Sequence, residues 1–169
     1  MIREWLAKLR SDKSGVAAVE FALWTTFLFS VVMAALDFGG FYIQRGQIDE
    51  AVSAGALQSF DKRDNANFSG MEDYVRSLAE DQSLAVTVSC NGSANSCTNL
   101  NRTCACLRSN GTFAAQSCGS TCTGSNVTTG STSGYYLTVE AEKSYKPMLL
   151  PKGLLNGAKI SQSVTVRLQ

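Results

Sequence analysis

Two groups of residues in this 169-residue chain have the types and spacing to do chemistry. The first is a set of six cysteines, Cys90, Cys97, Cys104, Cys106, Cys118 and Cys122, all within one polar stretch. An even, clustered set in a small domain reads as disulfides made in an oxidising compartment. Zinc is the competing chemistry. Cys104-x-Cys106 and Cys118-x-x-x-Cys122 lack the usual short Cys-x-x-Cys knuckles, and there is no histidine to complete a mixed site. Up to three disulfides and no metal are therefore expected, with too many possible pairings for spacing to choose among them. The second group is a single residue, Glu20, the one ionisable side chain in SGVAAVEFALWTTFLFSVVMAAL, residues 14–36. At the centre of a transmembrane helix a carboxylate costs ~2.5–3.5 kcal/mol on insertion scales, and less toward the interface. Glu20 lies four residues past Val16, ~6 Å along a helix axis, so its side chain can reach toward water. Acids in such runs are nonetheless functional by default.

Other chemistry is poorly provided for, and no catalytic residue is assigned. Without histidine there is no Ser-His or Cys-His nucleophile, and clustered cysteines in an oxidising space are consumed in pairs. The Gly-Ser-Thr-Ser-Gly run at 130–134 has Thr132 at its centre rather than a serine, and residues 124–131 lack the lysine of a phosphate-binding loop. Asp73, Glu80, Glu140 and Glu142 would have to converge for carboxylate catalysis, and solvated helix and strand faces explain them more simply. No cofactor is expected. The formal net charge of +1, from 15 Lys and Arg against 14 Asp and Glu, excludes a globally basic nucleic-acid binder.

The elements that position these groups follow from periodicity. Residues 16–36 are long enough to cross ~30 Å of hydrocarbon at ~1.5 Å per residue. Arg3, Lys8, Arg10 and Lys13 precede them against Glu4 and Asp12, which keeps the N-terminus cytoplasmic and sends the C-terminal part across the membrane. A cleaved signal peptide fits less well, since its apolar core is shorter and no small-x-small site is clear near Ala34 and Ala35. Phe38, Phe41, Tyr42, Ile48, Val52 and Ala56 continue a helical spacing, so the helix is expected to reach about residue 60, with Gly39 and Gly40 as places for a kink. Beyond it, residues 71–81 predict an amphipathic helix with Met71, Tyr74, Val75 and Leu78 on one side and Ser69 as N-cap. Residues 84–90, 135–145 and 159–168 predict three strands. The fold class is α+β, with a long transmembrane helix continuing into a small disulfide-bonded head that carries an antiparallel sheet.

Residues 91–134, rich in Gly, Ser, Thr and Asn, are expected to form a long loop held by disulfides. Asn67, Asn91, Asn101, Asn110 and Asn126 open Asn-x-Ser/Thr triplets, which chance supplies in so polar a segment. Pro147 and Pro151 bracket an apolar turn, Met148 to Leu150, for which packing is the expected role.

Two runs, SGVAAVEFAL at 14–23 and LDFGGFYIQRGQIDEAVSAGA at 36–56, closely resemble the TadE-like pseudopilins of bacterial tight-adherence (Flp-type) pilus systems. The resemblance covers roughly a quarter of the chain. It implies a prepilin peptidase cut after Gly15, with Val16 as the new first residue, Glu20 at the fifth mature position and Phe21 behind it. It also implies an inner-membrane protein with a periplasmic head, and as partners the peptidase, other pilins and pseudopilins, and the pilus assembly machinery. By analogy with type IV pilins, Glu20 would pair with the α-ammonium of Val16 on a neighbouring subunit. Thr26 stands where such proteins often carry proline, a departure that bears only on helix regularity. The resulting division is a cytoplasmic leader at 1–15, a transmembrane helix at 16–36, its extension at 37–60 and a head at 61–169 with a Cys-rich loop at 90–134. The alternative is a secreted or anchored adhesive module acting through that loop, and a mature start at Val16 or near Asp37 separates the two.

Overall fold

A computed structural model of the chain describes residues 14–63, 70–95, 97, 102–149 and 157–169. The basic residues ahead of Ser14, the expected cap Ser69, Asn67, Asn101, Leu150 and Pro151 lie outside the described residues.

Helix α1 (Ser14–Asp61) has 48 residues, ~72 Å at ~1.5 Å per residue. It passes through Gly39 and Gly40 as continuous helix, so neither marks a break. At Thr26, where a proline would have removed a ladder bond, the hydroxyl donates to the Ala22 carbonyl at 2.8 Å, and Ser30 Oγ donates to the Thr26 carbonyl at 2.9 Å. Both hydroxyls are thus satisfied inside the helix, as an apolar environment requires.

The chain divides into two units. The first, in its described part, holds residues 14–40 and 147–149, and the second holds Phe41–Lys146 and Gly157–Gln169. In the second unit, Ile48, Ala51, Val52 and Ala56 of α1 recur at helical spacing and are buried, which accounts for one wall of its core. A short helix α2 (Met71–Leu78) adds Met71 and Val75, both buried. It stops three residues before the expected end, and Leu78, its last residue, is 44 % exposed while Ala79 just beyond it is buried. Its N-cap is Gly70, in a left-handed conformation at φ 101° that only glycine adopts without strain. Arg76 ties α2 to the following strand by donating to the Leu84 carbonyl at 3.0 Å, and it also pairs with Asp73 at 2.9 Å and Glu72 at 3.2 Å.

The opposite wall is an antiparallel four-stranded sheet in the order β2-β1-β5-β6, built from β1 (Ala85–Cys90), β2 (Ser93–Ala94), β5 (Tyr136–Ser144) and β6 (Lys159–Arg167). The two-residue period of a strand explains its two faces. Val86, Val88, Leu137, Val139, Ala141 and Ile160 are buried. Thr87, Glu140, Ser161, Ser163 and Thr165 alternate with them on the outside, where Thr138 and Thr165 share a hydroxyl hydrogen bond of 2.8 Å. The three expected strands are present, each trimmed by one or two residues. The fold is α+β.

The Cys-rich stretch is not a plain loop. It contains a second, two-stranded sheet of β3 (Cys104–Leu107) and β4 (Phe113–Gln116), paired from Cys104↔Gln116 to Leu107↔Phe113. Asn110 closes this hairpin by accepting from Thr112 N at 3.2 Å and Thr112 Oγ1 at 2.7 Å, while Gly111 supplies a positive φ of 78°.

Candidate functional site

The N-terminal junction of α1 begins with Gly15. A β-carbon added there would meet nothing within 4 Å, so packing does not require a glycine, although in a helix it costs about 1 kcal/mol relative to alanine. Val16 and Phe21 project outward at 53 % and 73 % exposure. Glu20 is exposed on the same helix, and its carboxylate shares a shallow hollow with Leu23, Trp24 and Phe27, one to two turns further along. Trp24 and Phe27 meet edge to face at 6.1 Å. Among the described residues no hydrogen bond or ion pair satisfies Glu20. A carboxylate flanked by three large apolar side chains and without a partner among the described residues is a group for which an outside cation is the natural complement.

From residue 15 onward α1 is long and apolar enough to cross a membrane, and its most apolar window has no buried residues. Val19, Leu23, Trp24, Phe27, Leu28, Phe29 and Leu36 are each at least 60 % exposed. Asp37 ends this surface differently: it is only 2 % exposed, and its carboxylate accepts backbone N–H bonds from Met148 and Leu149. Sequence reasoning missed that role. The packing expected of the 148–150 turn is not what Met148 does, since its side chain is 88 % exposed and the turn is held through its backbone.

In the second unit all six cysteines are paired: Cys90–Cys97, Cys104–Cys118 and Cys106–Cys122. No thiolate remains to bind a metal or attack a substrate. Cys104 and Cys106 are alternate residues of β3 and therefore point to one side, where Cys118 and Cys122 meet them as two adjacent bridges. Backbone bonds extend the hold: Ala105 and Gly134 exchange N–H···O bonds of 2.8 and 3.0 Å, Cys122 N donates to Ser131 O at 2.8 Å, and Ser133 N to Ser120 O at 2.9 Å. Asn91 links the stretch to the main sheet. Its Nδ2 donates to the Thr103 carbonyl at 2.5 Å, while its Oδ1 accepts from Tyr136 N at 3.0 Å. Phe113 packs against Tyr136 at 5.7 Å and lies over Gly92, where a β-carbon would come within 2.8 Å of its ring.

A cleft of about 450 Å³ is lined by Gln44, Ser83, Ala85, Glu142, Lys143, Ser144 and Lys146. Two of its three charged side chains, Glu142 and Lys143, are already paired. Lys143 pairs with Asp81 at 2.7 Å, and Lys159 pairs with Glu142. The hydrogen bond from Lys143, helped by Ser83, lowers the Asp81 carboxyl from 3.8 to about 2. Glu142 hydrogen-bonds Lys159 and raises the ammonium above its ordinary value. Among the described residues no three carboxylates or thiols come together in a metal-binding group. Asp73 is engaged by Arg76, and Glu140 lies on the solvent face of the sheet. The only sequence-predicted site residues that converge in the head are therefore the disulfide cysteines.

No curated protein and no solved structure matches the chain. A family model does, over the 43 of 169 residues that run from the Gly15–Val16 junction past Glu20 and Asp37 to the buried Ala56: residues 15–57 match the family described as TadE-like protein.

Proposed function

We propose that this protein is a pseudopilin or minor pilin of a tight-adherence (Flp) pilus, anchored in the bacterial inner membrane by residues 16–36 with its head in the periplasm. The observation that carries the reading is the TadE-like match, which starts at the glycine of the Gly15–Val16 junction and includes Glu20. In this reading a prepilin peptidase removes residues 1–15 on the cytoplasmic side. Gly15 is suited to that role because nothing in the fold demands a glycine there. Cleavage creates an α-ammonium on Val16. A neighbouring subunit brings it to Glu20, which has no partner among its own chain's described residues. Each subunit thereby neutralises the next, in a medium of low dielectric where an unpaired charge costs several kcal/mol. Phe21 and the apolar residues beyond it pack against lipid or adjacent helices. The head acts by assembly rather than catalysis.

Glu20→Gln tests the pairing. Insertion and cleavage should persist, since the substitution removes a charge from the apolar run and leaves Gly15 intact. Co-isolation of the processed variant with other pilus components should fail. A variant that is processed, stable and assembled as well as the parent would show that Glu20 has no pairing role.

A further inference from the structure

Met148 is the most exposed of the large apolar side chains described, at 88 %, and Leu149 beside it is 44 % exposed. Isolated exposed apolar residues are ordinary on soluble surfaces. This pair is not isolated, because residues 147–149 belong to the same unit as the apolar part of α1. Asp37 fixes where the turn lies along that helix. Its Oδ1 accepts from Met148 N at 2.9 Å, and its Oδ2 accepts from Leu149 N at 3.0 Å. Asp37 directly follows Leu36, the last residue of the uncharged run apart from Glu20. One turn back, Met33 and Ala34 are half-buried while Val31, Val32 and Leu36 remain open, so one side of the helix is covered at that level and the others are not.

A carboxylate shut off from solvent by burial needs donors within the protein, and two backbone N–H groups fill that need. The same bonds bring Met148 and Leu149 to the level at which the apolar surface of α1 ends. Exposed Lys146 precedes the turn, and Lys152 follows in the sequence, which suits anionic headgroups.

We propose that residues 147–149 form a lipid-contacting turn: Asp37 holds it against α1 at the end of the apolar run, and Met148 and Leu149 enter the headgroup–acyl boundary of an anionic phospholipid bilayer. Asp37 is a positioning residue, and the turn sets the depth at which α1 leaves the membrane. The inference rests on the reading of α1 as the membrane anchor.

The test uses the full chain in bilayer nanodiscs containing anionic phospholipid. The native cysteines are all paired, so Met148→Cys offers one thiol for a nitroxide label, with Phe21→Cys as reference for α1 and Ser161→Cys for the outer sheet face. Collision with dissolved oxygen, which concentrates in lipid, is compared with collision with a water-soluble nickel chelate. Oxygen-favoured labels at residues 21 and 148 and a nickel-favoured label at 161 are expected. Asp37→Ala should turn the label at 148 nickel-favoured and leave the label at 21 unchanged. A lipid signature at 21 with a nickel-favoured label at 148 overturns the inference while sparing the anchor. Shielding of 148 from both reagents also overturns it, in favour of a protein partner or a second copy. A lipid signature at 148 that survives Asp37→Ala overturns the role of Asp37. Nickel-favoured labels at both 21 and 148 overturn the anchor, and this inference with it.

Discussion

Gly55 of α1 and Val75 of α2 approach so closely that a β-carbon at residue 55 would lie 2.7 Å from Val75 Cγ2. Val75 is fully buried and β-branched, so it has no easy rotamer to escape into. In Gly55→Ala the helix-propensity gain of about 1 kcal/mol is outweighed by an overpacking cost of about 1–3 kcal/mol. Net destabilisation of roughly 1 kcal/mol is expected in denaturant titrations. Val75→Ala should cost less in that background than in the parent, because the two changes share one space. Additive losses would mean that the contact is not the cause.

The Asp81–Lys143 pair gives a pH dependence of definite sign. The folded carboxyl lies at about 2 against an ordinary 3.8, so its contribution is present above about pH 4 and is lost as pH falls through about 2. Solvent screening reduces it to about 1 kcal/mol. Unfolding free energies measured from pH 6 to pH 2 should drop over that window, and more shallowly in Asp81→Asn. Equal slopes in the two proteins would remove Asp81 as the source.

The three bridges predict that alkylation adds no mass to the oxidised protein and labels six cysteines after reduction. Cys106 and Cys122 are separated by 16 residues, and replacing both with alanine should cost about 3 kcal/mol, the loop-closure value for that length. Six freely labelled thiols in the untreated, metal-free protein would contradict the structure.

How much of this was legible depended on range. The apolar run and the alternating strands are local patterns, and each led to the right kind of element, whereas the polar middle, read as a long loop, holds the β3–β4 sheet. What was hidden lay at a distance. Asp37 reads as the end of an apolar run, because its partners are backbone N–H groups 111 and 112 residues away that no side-chain pattern encodes. In the sequence Asn91 reads as one of several chance triplets, whereas its carboxamide joins Thr103 and Tyr136. Strands β3 and β4 are four residues each, too short for a period to show, and they depend on bridges whose pairing spacing did not select. The roles given to Gly15 and Glu20 come from a resemblance, although Glu20 already stands out as the one ionisable residue of the apolar run.

The central claim is pilin-type maturation, and the intact mass of protein extracted from membranes of cells with an active prepilin peptidase tests it most directly. The mass should correspond to a chain starting at Val16. In Gly15→Leu the full leader should remain, although open space around residue 15 leaves the helix undisturbed. A parent protein that keeps residues 1–15 in those cells, or one that starts near Asp37, would contradict the account.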